Sequence, residues 1–215
     1  MTADALGGNE ITSVFIVSLG NPPPHHQSRH SAGHILLKAL QSHLEFPAFK
    51  KSKQFANGLI SAGQAADNVD IALWQCPGSM NDSGASVAKA YRQFASSSSQ
   101  GISDDQWPTL VVLYDEMELT PGLLKVSPGS SSAKGHNGLK SVHQSLNSAG
   151  LMGRLTSKNG KFLKVGFGIG RPHGGTRRKE DVANFVLGQL PESELEQLQG
   201  CAEELMDMLE EAITT

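Results

Sequence analysis

Five residues of this sequence carry side chains suited to opening an ester: His30, Asp115 and the asparagines Asn21, Asn81 and Asn137. A histidine held by a carboxylate is the usual device for activating water. The carboxylate fixes the imidazole tautomer and stabilises the imidazolium as it forms. Asparagine amides donate to an ester carbonyl oxygen, and to the oxyanion that grows on it, without carrying charge. No G-x-S-x-G nucleophile elbow occurs, so direct attack by water is the chemistry these residue types allow.

The elements around these residues place them at one edge of a sheet. Val14 to Leu19 is a short apolar, β-branched run, as in a strand covered on both faces. Gly20, Asn21 and Pro22 to Pro24 stop it, and a helix carrying Ile35, Leu36, Leu37 and Leu40 inward follows, with Ser28 or Ser31 as its cap. Asn21 and His30 thus fall at the carboxyl end of a buried strand, where α/β folds put their sites. Gly58 to Gly63 and Val69 to Cys76 predict a hairpin turning at Asp67-Asn68, with Met80 and Asn81 beyond it and a helix running to Phe94. Thr109 to Tyr114 is the plainest strand in the chain and ends in Asp115-Glu116. Ser127 to His136 predicts a flexible loop, Asn137 opens the next helix, and Phe162 to Ile169 gives another strand. Pro191 to Ile213 predicts one amphipathic helix, with Leu195, Leu198, Ala202, Leu205, Leu209 and Ile213 on a single stripe. Alternating strands and helices with one hairpin predict an α/β fold: a single-domain three-layer α/β/α sandwich on a twisted, mixed sheet. Residues 1–12 are expected to be a flexible segment and 13–215 the single domain.

Composition narrows the function. A formal charge of −3 over 215 residues does not announce a nucleic-acid binder, so a polyanion would have to meet a local basic patch. The densest cations are Arg171, Arg177, Arg178 and Lys179, with Lys164 upstream. Two cysteines, Cys76 and Cys201, fall far apart in apolar surroundings, which predicts buried thiols in a reducing compartment. No apolar run reaches the roughly 20 residues that cross a bilayer, and residues 1–12 lack both Lys and Arg. The cytoplasm is therefore the expected location. Gly166, Gly168 and Gly170 suggest a dinucleotide loop, but the G-x-G-x-x-G spacing fails. His26, His30 and His34 fall at i, i+4 and i+8, a spacing that would bind zinc if all three shared one helix face.

The motifs as a set resemble the bacterial-type peptidyl-tRNA hydrolases, including their eukaryotic members. Leu19-Gly20-Asn21-Pro22 with Arg29-His30-Ser31-Ala32-Gly33 is similar to the family's L-G-N-P and R-H-N-x-G. Met80-Asn81-Asp82-Ser83-Gly84 resembles M-N-x-S-G, and Asp115-Glu116 with Leu119 and Pro121-Gly122 resembles the acidic segment after the central strand. Gly135-His136-Asn137-Gly138-Leu139, Gly168-Ile169-Gly170-Arg171-Pro172 and Val186-Leu187-Gly188 match later elements in the family's order. The resemblance implies cleavage of the ester between a peptide and the 3′ ribose of tRNA, at a site that needs no metal or other cofactor. It gives His30 as general base and Asp115 as its orienting carboxylate. Asn21, Asn81 and Met80 would contact the peptide, and Asn137 substrate or water. It implies a monomer that binds the acceptor arm and 3′ CCA end through cations around a cleft. Candidates for that role are Lys125, Lys134, Lys164, Arg171, Arg177 and Arg178. A mitochondrial pool beside the cytoplasmic one is compatible with this. The chain departs from the pattern at Ser31, where asparagine is usual, and at Ser130 to Ser132, where glycines are usual. A catalytically silent RNA-binding relative and a zinc-dependent hydrolase are the competing readings.

Overall fold

The computed structural model describes residues 13–65, 69–97, 107–157, 160–172, 175 and 177–214. The expected hairpin turn at Asp67-Asn68 and the segment 1–12 lie outside the described residues. Among the described residues seven strands form one sheet: β1 (Ser13–Ser18), β2 (Lys50–Lys51), β3 (Leu59–Gln64), β4 (Asp70–Gln75), β5 (Thr109–Glu116), β6 (Leu124–Pro128) and β7 (Phe162–Gly168). Their order is β2-β3-β4-β1-β5-β7-β6. The central pairs β1–β4, β1–β5 and β5–β7 are parallel, and the outer pairs β2–β3, β3–β4 and β6–β7 are antiparallel. The sheet is therefore mixed, and the hairpin read from residues 58–76 is the β3–β4 pair.

Among the described residues seven α-helices accompany it: α1 (Ala32–His43), α2 (Ser83–Ser97), α3 (Asn137–Ser148), α4 (Met152–Leu155), α5 (Lys179–Leu187), α6 (Glu192–Gly200) and α7 (Ala202–Thr214). Strand alternation divides the core into two layers. Ile16, Val111, Leu113 and Val165 pack with Leu36, Leu37 and Leu40 of α1, Leu198 of α6 and Leu205 and Leu209 of α7. Phe15, Val17, Leu110 and Val112 face the other way, onto Val87 and Tyr91 of α2 and Leu139, Val142 and Leu146 of α3. Every residue of β1 and β5 is buried, as a strand sandwiched between helices requires.

Three expectations are corrected. The C-terminal stripe is two helices, not one. The chain breaks at Cys201, after Gly200, a poor helix residue; the apolar spacing runs on through the break, so the sequence hides it. Neither Ser28 nor Ser31 caps α1 through its side chain. Both hydroxyls instead donate to the His25 carbonyl, each at 2.8 Å. Ser127 and Pro128 belong to β6 rather than to the loop that follows. Cys76 and Cys201 are both buried and free.

Candidate active site

The strands that carry the site are neighbours. β1 and β5 pair in parallel with Ser18 opposite Leu113, so Asn21 and His30, just beyond β1, emerge beside Asp115, near the end of β5. A short 3-10 turn, Arg29–Ser31, then leads into α1. Gly33 permits this entry. A Cβ there would lie 2.6 Å from the Leu113 carbonyl oxygen and 2.7 Å from that of Leu19, a backbone clash that would push the helix start away. Arg29 fixes the turn from the other side. Its backbone N–H donates to the Gly188 carbonyl at 3.0 Å, and its guanidinium pairs with Glu194 at 3.0 Å and stacks 4.6 Å from the Phe185 ring centroid.

His30 Nδ1 lies 2.8 Å from Asp115 Oδ1. A second histidine reaches the same oxygen: His136 Nε2 lies 3.1 Å from Asp115 Oδ1. His136 is also the N-cap of α3, its Nδ1 accepting from the Leu139 N–H at 3.2 Å. Hydrogen-bond accounting then settles the protons. With Nδ1 accepting, His136 must carry its proton on Nε2 and donate it to Asp115. Burial alone would raise the Asp115 carboxyl, but the charges and hydrogen bonds of His30 and His136 outweigh it and hold the group well below the usual carboxylate range. An ionised Asp115 only accepts, so His30 donates from Nδ1 and its Nε2 keeps the lone pair. Burial pulls the His30 pKa down, yet the Asp115 charge and hydrogen bond overcome this and the net shift is upward.

A cavity of about 640 Å³ opens over this pair. Asn21, Met80, Asn81 and Asn137 line it along with His30, Asp115 and His136. Asn21 is held at both ends. Its Oδ1 accepts from the Met80 N–H at 3.0 Å and its own N–H donates to Ser31 Oγ at 3.0 Å. With the carboxamide oxygen engaged, the amide nitrogen is the end presented to the cavity. Met80 itself is buried, whereas Asn81 and Asn137 are exposed. The far wall comes from α5, through Val182, Ala183, Val186 and Leu187.

Of the six cations read as tRNA contacts, only Lys134 lines the cavity. Lys164 is corrected: it lies in β7, buried, with Nζ donating to the Ser131 and Ser132 carbonyls at 3.0 and 2.6 Å. Burial lowers its pKa, Glu116 working against that and Lys134 with it. With its amine committed to those two carbonyls, Lys164 shapes the serine loop rather than meeting polyanions. Arg171 pairs with Glu118. Arg178 is highly exposed, with Glu180 at 3.9 Å and Asp181 at 3.8 Å, and Lys125 and Arg177 are also exposed. Lys179, one of the densest cations of the sequence, also lines the cavity, as does Lys140, which the sequence reading did not single out. Lys134 has φ +44° and Gly135 φ +92°, a left-handed pair that costs the lysine roughly 1–2 kcal/mol.

The zinc trio does not assemble. His34 is buried in α1 with Nδ1 2.8 Å from Ser18 Oγ, and burial drives its pKa down to about 3. His26 is exposed in a turn before the helix begins, so the three histidines share no helix face. The cluster of ligand-type atoms among the described residues is His30, Asp115 and His136, within 4.8 Å of one another. Its two nitrogens facing Asp115 are hydrogen-bond donors in the arrangement above, so a metal would first have to displace both protons and the α3 cap. Sequence reasoning missed His136. Its signal is a polar residue directly before a helix start with an apolar residue three positions on, although Ser, Thr, Asp and Asn are the usual caps.

A family profile described as peptidyl-tRNA hydrolase matches residues 15–215. The chain belongs to the peptidyl-tRNA hydrolase family. Relatives within the family include the peptidyl-tRNA hydrolase of Geotalea uraniireducens, 35% identical over 93% of this chain and 90% of the relative. That of Cutibacterium acnes is 31% identical over 83% of this chain and 81% of the relative. Among solved structures, a point mutant of the peptidyl-tRNA hydrolase from Acinetobacter baumannii superposes with a TM-score of 0.66 at 25% identity, covering 92% of this chain and 86% of that one. The family's single α/β domain is the one described above.

Proposed function

We propose that this chain hydrolyses the ester joining a peptide, or an N-blocked aminoacyl group, to the 3′ ribose of tRNA, with His30 as general base. His30 Nε2 takes a proton from water as the oxygen attacks the ester carbonyl. Asp115 holds the ring by Nδ1–H and stabilises the imidazolium. The tetrahedral oxyanion meets amide donors rather than a metal: the Asn21 amide nitrogen is already oriented by Met80, and Asn81 and Asn137 stand at the same rim. As the intermediate collapses, the C–O bond to ribose breaks, the leaving 3′ oxygen takes the proton back from His30, and the peptide departs as a carboxylic acid. Water is consumed and the imidazole regenerated.

The observation that carries this reading is the His30–Asp115 contact at 2.8 Å beneath an amide-lined cavity. The retained base also weighs against a silent RNA-binding relative, because a chain selected for binding alone has no use for an oriented imidazole. The exposed cations Lys125, Lys134, Arg177 and Arg178, with Arg171, draw the acceptor arm to this face. The enzyme works as a monomer, as one catalytic unit over residues 13–215, in the cytoplasm with room for a mitochondrial pool. No helix of the described residues is long and apolar enough to cross a membrane.

Incubation of the purified protein with N-acetyl-aminoacyl-tRNA and, in parallel, with free aminoacyl-tRNA tests the reading. Release of the blocked amino acid with little release of the free one is expected. Failure to release either overturns the proposed activity. Loss of activity with EDTA and its return with zinc would favour the metal-dependent alternative.

A further inference from the structure

Lys134 is set apart from the other cations of this face. It sits directly before the Gly135-His136 cap of α3, in a left-handed backbone conformation that lysine adopts at a cost and glycine without one. Its Nζ stands 3.6 Å from Glu116 Oε2, while 47% of its side chain stays exposed. Glu116 is itself pinned: its side chain is 8% exposed, Oε2 accepts from the Tyr114 hydroxyl at 3.1 Å and Oε1 from the Glu118 N–H at 3.2 Å. A fixed carboxylate therefore parks the ammonium at the end of β5, in the cavity that Asp115, the residue that orients His30, also lines. An ammonium carries three donors, and one carboxylate oxygen at 3.6 Å leaves its open side available. Lys164 takes no share of this role, since its amine is turned inward to two carbonyls.

Resting on the ester-hydrolase reading above, we infer that Lys134 binds the phosphodiester nearest the scissile bond, the one on the 5′ side of the terminal nucleoside. Only a ribose ring separates that phosphate from the ester carbonyl, and Lys134 shares a cavity wall with the residues that work on the carbonyl. Glu116 acts as the anchor that keeps the amine at this height. The strained backbone is what a lysine accepts in order to stand there. The contact lets the enzyme tell a nucleic-acid ester from a simple ester before the acceptor stem is engaged at all.

The test compares three N-acetyl-aminoacyl esters: of full tRNA, of the dinucleotide CpA, and of adenosine, which lacks the phosphate. The readout is the ratio of kcat/KM for the CpA ester to that for the adenosine ester. Lys134→Ala should lower this ratio by about tenfold through KM, the worth of one charged hydrogen bond. On full tRNA the slope of log affinity against log salt should fall by about one. Lys134→Gly, which relaxes the left-handed backbone, should lose the same discrimination without loss of thermal stability, and Lys134→Arg should keep most of it. An unchanged ratio in the alanine and glycine variants, with the wild type active, overturns the assignment and leaves the reaction standing. An equal loss on both small esters also overturns it, since the lysine would then act on the carbonyl or peptide side. A wild type inert towards all three esters overturns the reaction itself, and this assignment with it.

Discussion

Two histidines from opposite layers of the molecule meet at one carboxylate oxygen, and only one of them is equipped to be a base. His30 precedes α1, in the layer with α6 and α7, and His136 precedes α3, in the layer with α2. Both lie within hydrogen-bond distance of Asp115 Oδ1, at 2.8 and 3.1 Å. They differ in the other ring nitrogen. That of His136 is consumed by the Leu139 N–H, whereas that of His30 is left to the cavity. Proximity to a carboxylate therefore does not identify a general base; the bookkeeping of both nitrogens does.

The comparison breaks most visibly at His30. Replacement by alanine should lower kcat by roughly 10² to 10⁴, the usual worth of a general base, with a melting curve close to wild type; turnover near the wild-type rate would remove His30 from the mechanism. Asp115→Asn comes next. It keeps the shape but offers an amide to two donors, and should cost about 100-fold in kcat while tRNA affinity, measured by filter binding, holds. Unaltered turnover would make the carboxylate structural. His136→Ala should lower turnover less, about tenfold, but should destabilise the fold by about 1 kcal/mol through loss of the α3 cap, as read by denaturant unfolding. If it matched His30→Ala in rate, the two imidazoles would be equivalent and the contrast would fail.

The smallest effect is one of pH. Because Asp115 raises the His30 pKa, and the base must be neutral to accept a proton, the wild-type rate should fall on the acid side with a midpoint above about 6.5. Removing His136 takes a competing donor off Asp115 and tightens its grip on His30. The midpoint should then move up again by a fraction of a pH unit. A shift downward would contradict the shared-oxygen arrangement.

Much of this was legible before any coordinates. β1 and β5 announce themselves as apolar runs that stop abruptly at polar residues, and a strand buried on both faces leaves little else for such a run to be. Their carboxyl ends carry Asn21, His30 and Asp115, so the place of the site follows from the order of elements. The helix α5 was not legible as an element. Val186 joins the core with Val182 and Phe185 packed against it, while Ala183 and Leu187 are exposed at the cavity, so its apolar residues are divided between two surfaces and mark no single packing stripe. Lys164 misled for the opposite reason. Charge in a sequence suggests surface, whereas the carbonyls of Ser131 and Ser132, with the Glu116 charge, are what let an amine be tolerated inside. His136 went unread because the motif around it draws attention to Asn137, and its partner Asp115 is 21 positions away.

Arg29 has a bearing on how the enzyme can be damaged. It is the immediate neighbour of the base, yet its contacts run to Phe185, Gly188 and Glu194, where α5 hands over to α6. The C-terminal third of the chain, which supplies no group to the proton transfer, is therefore mechanically clamped one residue away from it. A lesion that loosens the α5–α6 corner, such as Glu194→Lys, would slow the hydrolase while leaving every group of the reaction in the polypeptide.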